Sequence, residues 1–251
     1  MSTVAESLAV PDRADRLRSI AGEIPLIGSL PRESRERLLQ HSRIERFAPR
    51  SLLLSEGEIP KDMHIVLSGI VDLSCTYKGH EYTALIMSAG DISMPAAALF
   101  QEPFLISARA LTATRLLTVD ADAFRSEARR SPELALSIAR IIAGQWRLAL
   151  KIILDLKCRS PSQRLASFLL RLYDAAVPGT VAEVPFSKRQ LASRVGMQPE
   201  TLSRTLQTLA ANGLYLRGRE IVLKDRDAIE AFCGPDPYPS ADEGDLGVYA
   251  L

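Results

Sequence analysis

Cysteine and histidine are both scarce in this chain, three of each among 251 residues, and their scarcity removes several kinds of chemistry at once. Cys75, Cys158 and Cys233 are odd in number and far apart, so they indicate neither a disulfide framework nor a paired-cysteine zinc site. They also fall short of the thiolate set that an iron–sulfur cluster draws from one chain. His41, His64 and His80 form no cluster with carboxylates at motif spacing. A cupin-like small-molecule-binding enzyme, the alternative that a β-rich half would invite, is therefore poorly supported. No catalytic residue and no metal ligand is assigned. Long apolar runs are missing too, and the opening segment MSTVAESLAVPDRADRLRSI has no apolar block of the kind a secretory signal carries. A cytoplasmic protein with no membrane partner is expected.

Net charge is nearly absent, at +1, but its distribution is uneven. Between Ser187 and Arg226 eight basic residues stand against three acidic ones, a local surplus suited to a phosphate surface. Residues 234–251, GPDPYPSADEGDLGVYAL, carry four acids, three prolines and no base, and read as an acidic flexible tail.

Periodicity divides the rest into an α+β chain. Residues 1–23 form an N-terminal arm with a short helical pattern through Arg13 to Ile20. Residues 24–130 begin with an amphipathic helix opened by Pro31. They continue as short alternating β-runs (RIERFA, SLLLSEG, MHIVLSGIVDLSCTY, YTALIMSAGD, ISARALTATRLLTVD) separated by turns at Gly57, Gly79 and Gly90. That pattern predicts an antiparallel β-roll of jelly-roll type. Residues 131–159 hold a proline-opened helix of roughly 36 Å from Leu134 to Lys157 with two apolar seams. Two seams call for two partners, the β-roll and the same helix of a second subunit. Ile138, Ile141, Ile142, Gln145, Trp146, Leu148, Ala149, Ile152, Ile153 and Leu156 are the expected dimerisation residues.

Residues 160–233 read as a winged helix-turn-helix. Ser187 caps SKRQLASRV, Gly196 turns the chain, and Pro199 opens PETLSRTLQTLAANG, closed by Asn212-Gly213. A two-stranded wing follows, turning at Arg217-Gly218-Arg219. Leu191, Ala192, Val195, Leu202, Leu206 and Leu209 supply a common interior, which leaves Glu200, Ser203, Arg204 and Gln207 on one outward face. Arg204 can donate twice to guanine, Glu200 can accept from cytosine, and Ser203 can serve base or phosphate. Glu200 and Arg204 are also spaced to hold each other. Lys188, Arg189, Arg194, Gln207, Arg217 and Arg219 are assigned to phosphates of double-stranded DNA.

The order of these parts, with Ile65-Val66-Leu67-Ser68-Gly69 and Val71, Ala89-Gly90-Asp91, Gln163-Arg164-Leu165-Ala166 and Glu200-Thr201-Leu202-Ser203-Arg204, resembles the Crp/Fnr superfamily of transcription regulators over roughly residues 24–232. The last motif is similar to the recognition helix of the Fnr branch. The resemblance implies a homodimer acting on a palindrome of TTGAT-like half-sites, an activating role and RNA polymerase as a further partner. Cyclic-AMP members carry a Gly-Glu pair and an Arg-Ser/Thr pair where this chain has Ser93-Met94-Pro95-Ala96-Ala97-Ala98 and Glu102 through Ser107, and Arg109 is displaced from the phosphate-binding position. Cyclic AMP is therefore not the expected ligand, and the region reads as apolar. Cys75 in a strand and His80 in the following turn keep open a haem-based gas sensor of the same fold, in which haem would be the cofactor. Cys158, between Lys157 and Arg159, keeps open a redox-sensitive thiolate. A regulator with no effector is the remaining choice.

Overall fold

The computed structural model describes residue 17 and residues 24–176 and 180–234, except for the side chain of His80. The short helix expected around Arg13 to Ile20 and the acidic tail expected beyond Gly234 lie outside the described residues.

The chain is an α+β protein, and its N-terminal half is a roll of two antiparallel sheets. Helices α1 (Pro25–Gly28) and α2 (Arg32–Gln40) lead in, and α2 buries Leu38 and Leu39 while its charges face outward. One sheet has the order β1-β7-β3 and the other β2-β6-β4-β5. The strands are β1 (Ser42–Phe47), β2 (Leu52–Leu54), β3 (Asp62–Ser68), β4 (Val71–Tyr77), β5 (His80–Met87), β6 (Ser107–Ala110) and β7 (Thr114–Asp120). Alternation aims Val66, Val71, Leu73, Met87, Ala108 and Leu116 into the roll, where they pack with Phe104. One sequence expectation needs correction here. The pattern puts His80 in a turn, but it is the first residue of β5 and pairs with Tyr77. The reason is the tight two-residue connection Lys78-Gly79, both at positive φ (50° and 75°), whose twist matches that of the flanking strands.

Helix α3 (Pro95–Phe100) occupies the stretch read as an apolar ligand region. It buries Pro95 and Ala98, and the carbonyl of Ala98 accepts a 2.7 Å bond from Arg125 of α4 (Ala121–Arg130). Glu127, also on α4, accepts bonds of 2.7 and 2.9 Å from Arg37 of α2. The Arg37 guanidinium holds the Glu127 carboxyl below its ordinary range.

Ser131 then caps the long helix α5 (Pro132–Cys158), which runs 27 residues, about 40 Å at 1.5 Å per residue. It ends at Arg159, whose extended backbone (φ −106°, ψ 141°) breaks the helix before a capping box of Ser160 and Gln163 starts α6 (Pro161–Asp174). The remaining elements are α7 (Lys188–Arg194), α8 (Pro199–Ala211), the hairpin β8 (Leu214–Arg217) with β9 (Glu220–Leu223), and α9 (Arg226–Cys233). Their core joins Leu165, Phe168, Phe186, Leu191, Leu202, Leu209, Ile221 and Ile229. Residues 183 and 184 add a partial third strand to the wing, with Glu183 bridged to Glu220 and the Val184 amide donating to the Arg219 carbonyl at 2.8 Å.

Candidate nucleic-acid interface

The two helices α7 and α8 cross over Ala192, which is fully buried, and their inner faces carry Leu191, Val195, Leu202 and Leu209. A second Ser–Gln capping box, Ser187 with Gln190, fixes the start of α7. Its end is braced from outside. The Arg164 guanidinium donates to the carbonyls of Val195 at 2.9 Å and Gly196 at 3.2 Å, so a cation meets the negative end of the helix. Gly196 takes φ +66°, and a Cβ there would stand 2.5 Å from Leu156 Cδ2. The turn needs glycine for its left-handed backbone, and the Leu156 side chain of α5 closes over it.

With the inner face of α8 spent on the core, Glu200, Ser203, Arg204 and Gln207 lie on its outer side, Gln207 among the exposed residues with the other three. The Ser203 hydroxyl donates to the Pro199 carbonyl at 3.3 Å, a local bond that leaves its oxygen free to accept. Among the described residues no ion pair joins Glu200 to Arg204, so the mutual bracing read from their spacing is absent and both keep their full hydrogen-bonding capacity. Lys188 and Arg189 are exposed at the start of α7, and Arg217 and Arg219 project from the wing. Arg217 is held by Glu220 through bonds of 2.8 and 2.9 Å, and Arg219 donates through Nε to the Val184 carbonyl at 2.9 Å.

Arg194 is a correction. Assigned to a phosphate by sequence, it is buried, its guanidinium lies 5.3 Å from the centre of the Phe168 ring, and its Nε has no partner. Burial, aided by the nearby charge of Arg171 and opposed by Asp155, pushes its pKa down to about 10. Its place on the inward side of a seven-residue helix explains the burial: Arg194 sits three residues after Leu191, on the same face.

The dimerisation residues also divide. Ile138 and Ile141 are 2% and 3% exposed because they pack into the core of their own β-roll, so they are removed from the expected intersubunit face. Gln145 donates to the Ile92 carbonyl at 3.1 Å, and Leu148 packs on the roll's interior cluster, so these too face their own chain. Ile142 lies against the same core as Ile138. Trp146, Ile153 and Leu156 remain exposed, at 62%, 44% and 47%, with Ala149 and Ile152 half-buried beside them. Leu136, Ala139, Ala143 and Leu150, which the two-seam pattern does not single out, lie on the same outer side of α5, with Leu136 and Leu150 exposed at 55% and 39%. Together Leu136, Ala139, Ala143, Trp146, Leu150 and Ile153 alternate spacings of three and four, the seam of a two-helix coiled coil. That heptad is legible in the sequence once the inward seam has been subtracted.

The possible sensor residues sit on three different elements. Cys75 is half-buried on β4 opposite Tyr82, His80 opens β5, and Cys158 is exposed at the last turn of α5. The Arg159 guanidinium expected beside Cys158 is taken up by Asp155 at 2.9 Å and Ser167 at 2.7 Å. No cluster of three or more metal-binding side chains occurs among the described residues. No helix among them is long and apolar enough to cross a membrane.

A β-roll feeding a long helix and then a winged helix-turn-helix with an exposed polar reading face is the architecture of a two-domain DNA-binding regulator. The family model for the cyclic nucleotide-binding domain matches residues 44–131, and that for the Crp-like helix-turn-helix domain matches residues 163–232. The chain belongs to the Crp/Fnr family of transcription regulators. It is 28% identical over 218 residues to a probable transcriptional regulator, flp, of Lacticaseibacillus casei, covering 85% of this chain and 98% of that one. It is 27% identical over 195 residues to the nitrogen fixation regulation protein FixK of Azorhizobium caulinodans, covering 73% and 76%. Among solved structures, FixK2 of Bradyrhizobium japonicum shares the fold with a TM-score of 0.68 at 22% identity, over 75% of this chain and 95% of that one.

Proposed function

We propose that the chain acts as a homodimer that reads a palindrome of TTGAT-like half-sites, one α8 per half-site, under a signal other than cyclic AMP or with no effector. The single observation that carries this reading is the outer face of α8, where Glu200, Ser203 and Arg204 are exposed together while the opposite face is buried. A guanidinium and a carboxylate one helical turn apart match the guanine and cytosine edges of one base step or its neighbour. Lys188, Arg189, Gln207, Arg217 and Arg219 surround that face and set its register on the phosphates.

The exposed apolar stripe of α5 supports the dimer. A Trp, two Leu and an Ile in coiled-coil spacing form a surface that a partner helix covers. Trp146→Glu, which sets two carboxylates against each other in that seam, is expected to leave monomers in sedimentation analysis and to abolish tight binding to a two-half-site duplex.

The nucleotide region supports a different signal. Met94 and Ala97 pack on the apolar interior cluster where the family's cyclic-AMP members place polar ligand contacts, and Arg109 turns to the other face of its strand from the buried Ala108 and Ala110. An activating role, with RNA polymerase as partner, rests on the likeness of α8 to the Fnr branch. The test is fluorescence anisotropy on a TTGAT-N4-ATCAA duplex against a scrambled one, with and without cyclic AMP. Preference for the palindrome in both conditions is expected; equal affinity for the two duplexes contradicts the reading.

A further inference from the structure

The cations of the winged-helix domain fall into two sets. Arg217 is paired with Glu220, and Arg226 with Asp174 and Glu230, so these guanidiniums are neutralised within the domain. Lys188, Arg189 and Arg204 are exposed and meet no carboxylate among the described residues. Arg219 commits only its Nε, to the Val184 carbonyl at 2.9 Å. This second set lies at the start of α7, on the outer side of α8 and at the wing turn, and its like charges repel one another until an anion covers them. The chain carries such an anion. Asp236, Asp242, Glu243 and Asp245 stand close together in sequence, and no base follows Arg226.

The point where this acidic segment leaves the domain is close to that set. The Gln163 amide donates to the Phe232 carbonyl at 3.2 Å and ties the end of α9 to the start of α6. The next residue, Arg164, donates to the carbonyls of Val195 at 2.9 Å and Gly196 at 3.2 Å. Two neighbouring side chains therefore separate the exit at Gly234 from the turn between α7 and α8. Gly234 takes φ +74°, a conformation that glycine adopts cheaply, and this ends α9 and turns the chain off the helix axis. The 17 residues from Pro235 to Leu251 span roughly 20 to 25 Å at the dimensions of a glycine-rich linker. Helix α7 has only seven residues, about 10 Å at 1.5 Å per residue, so Lys188 and Arg189 at its far end fall within that reach.

We propose that the acidic segment from Asp236 to Asp245 docks on the basic face of its own chain, against Lys188, Arg189, Arg204 and Arg219, and competes there with DNA. The inference rests on the reading of that face as the DNA surface. Tethering supplies the segment at an effective concentration of about millimolar order, so weak contacts suffice to occupy the face. Exposed ion pairs are individually weak, yet four acting together amount to about a tenfold change in affinity. The segment must leave before any duplex binds, so it lowers affinity for every sequence by the same factor. The ratio of specific to scrambled binding is untouched.

The first test uses no DNA. The full native chain is treated with a water-soluble carbodiimide at low salt, digested and analysed by mass spectrometry. An amide joining Lys188 to one of the four acidic side chains is expected, and it should be lost when the reaction is run at high salt. The second test compares full-length chains on heparin and on a scrambled duplex at low salt. A variant with Asp236→Asn, Asp242→Asn, Glu243→Gln and Asp245→Asn is expected to bind both about tenfold tighter than the native chain. A charge-matched control with Glu33→Gln, Glu56→Gln, Glu58→Gln and Glu102→Gln removes four exposed acids from the other half of the chain, and should change either affinity by less than about twofold. The native chain's preference for the palindrome tests the DNA reading separately, since neither the cross-link nor heparin depends on it. Absence of the Lys188 cross-link, an unchanged affinity in the tail variant, or an equal gain in the control overturns the proposal.

Discussion

The β-roll and the winged-helix domain use charge in opposite ways. In the roll and the helices packed on it, Asp72, Asp91 and Glu127 are buried; burial holds Asp72 and Asp91 above the usual carboxylate range, while Arg37 holds Glu127 below it. In the winged-helix domain the charged residues near α7 and α8 lie outside, Arg194 excepted. The contrast teaches where each property of the molecule resides. The buried carboxylates that make stability depend on acid pH belong to the roll, where changing a side chain disturbs packing or desolvation. The proposed recognition belongs to the outer face of α8, where a side chain can be removed without leaving a cavity.

The largest effect should come from the roll. Ile138→Ala, at the buried seam of α5, is expected to cost about 2 to 5 kcal/mol in urea unfolding while leaving the ratio of specific to scrambled DNA binding unchanged. A changed ratio with unchanged stability would break the division. Next is Asp91, whose Oδ2 accepts from the Ser88 amide at 2.6 Å and whose pKa burial pushes up to about 6. Because the folded value lies above the ordinary 3.8, its contribution to stability is fully present below that value and is lost as pH rises through about 6. Urea unfolding free energies across that window should fall in the native chain by roughly 1 to 3 kcal/mol more than in Asp91→Asn. Parallel pH profiles would assign the slope elsewhere. Smallest is Lys188→Ala in the winged-helix domain, expected to leave unfolding unchanged and to weaken specific and scrambled duplexes alike. The logarithmic salt slope should shrink by about 0.9 for each phosphate that no longer meets a cation.

Much of this division is legible in the sequence because periodicity and turn chemistry are local. The strand runs, the Ser131-Pro132 helix start, the glycine between α7 and α8 and the outward set Glu200, Ser203 and Arg204 all follow from spacing. The errors share another cause. Arg194 has the residue type of a phosphate ligand, but it lies one turn after Leu191 on the inward face of its helix and turns to Phe168. Ile138 and Ile141 have the residue type of an interface, but the roll covers them first. The short helix α3 and the closing helix α9 carry too few periods to stand out. The bond from the Thr83 amide to the Ser193 hydroxyl across the domain junction joins residues 110 positions apart, a pairing that no local pattern encodes.

The central claim is that Arg204 reads a base. Anisotropy titrations of the native chain and Arg204→Ala against TTGAT-N4-ATCAA and single-substituted duplexes test it most directly. The account predicts a loss of about 1 to 3 kcal/mol per half-site and relaxed preference at the guanine, with little loss on scrambled DNA. An equal loss on palindromic and scrambled duplexes would contradict it and return Arg204 to the phosphates.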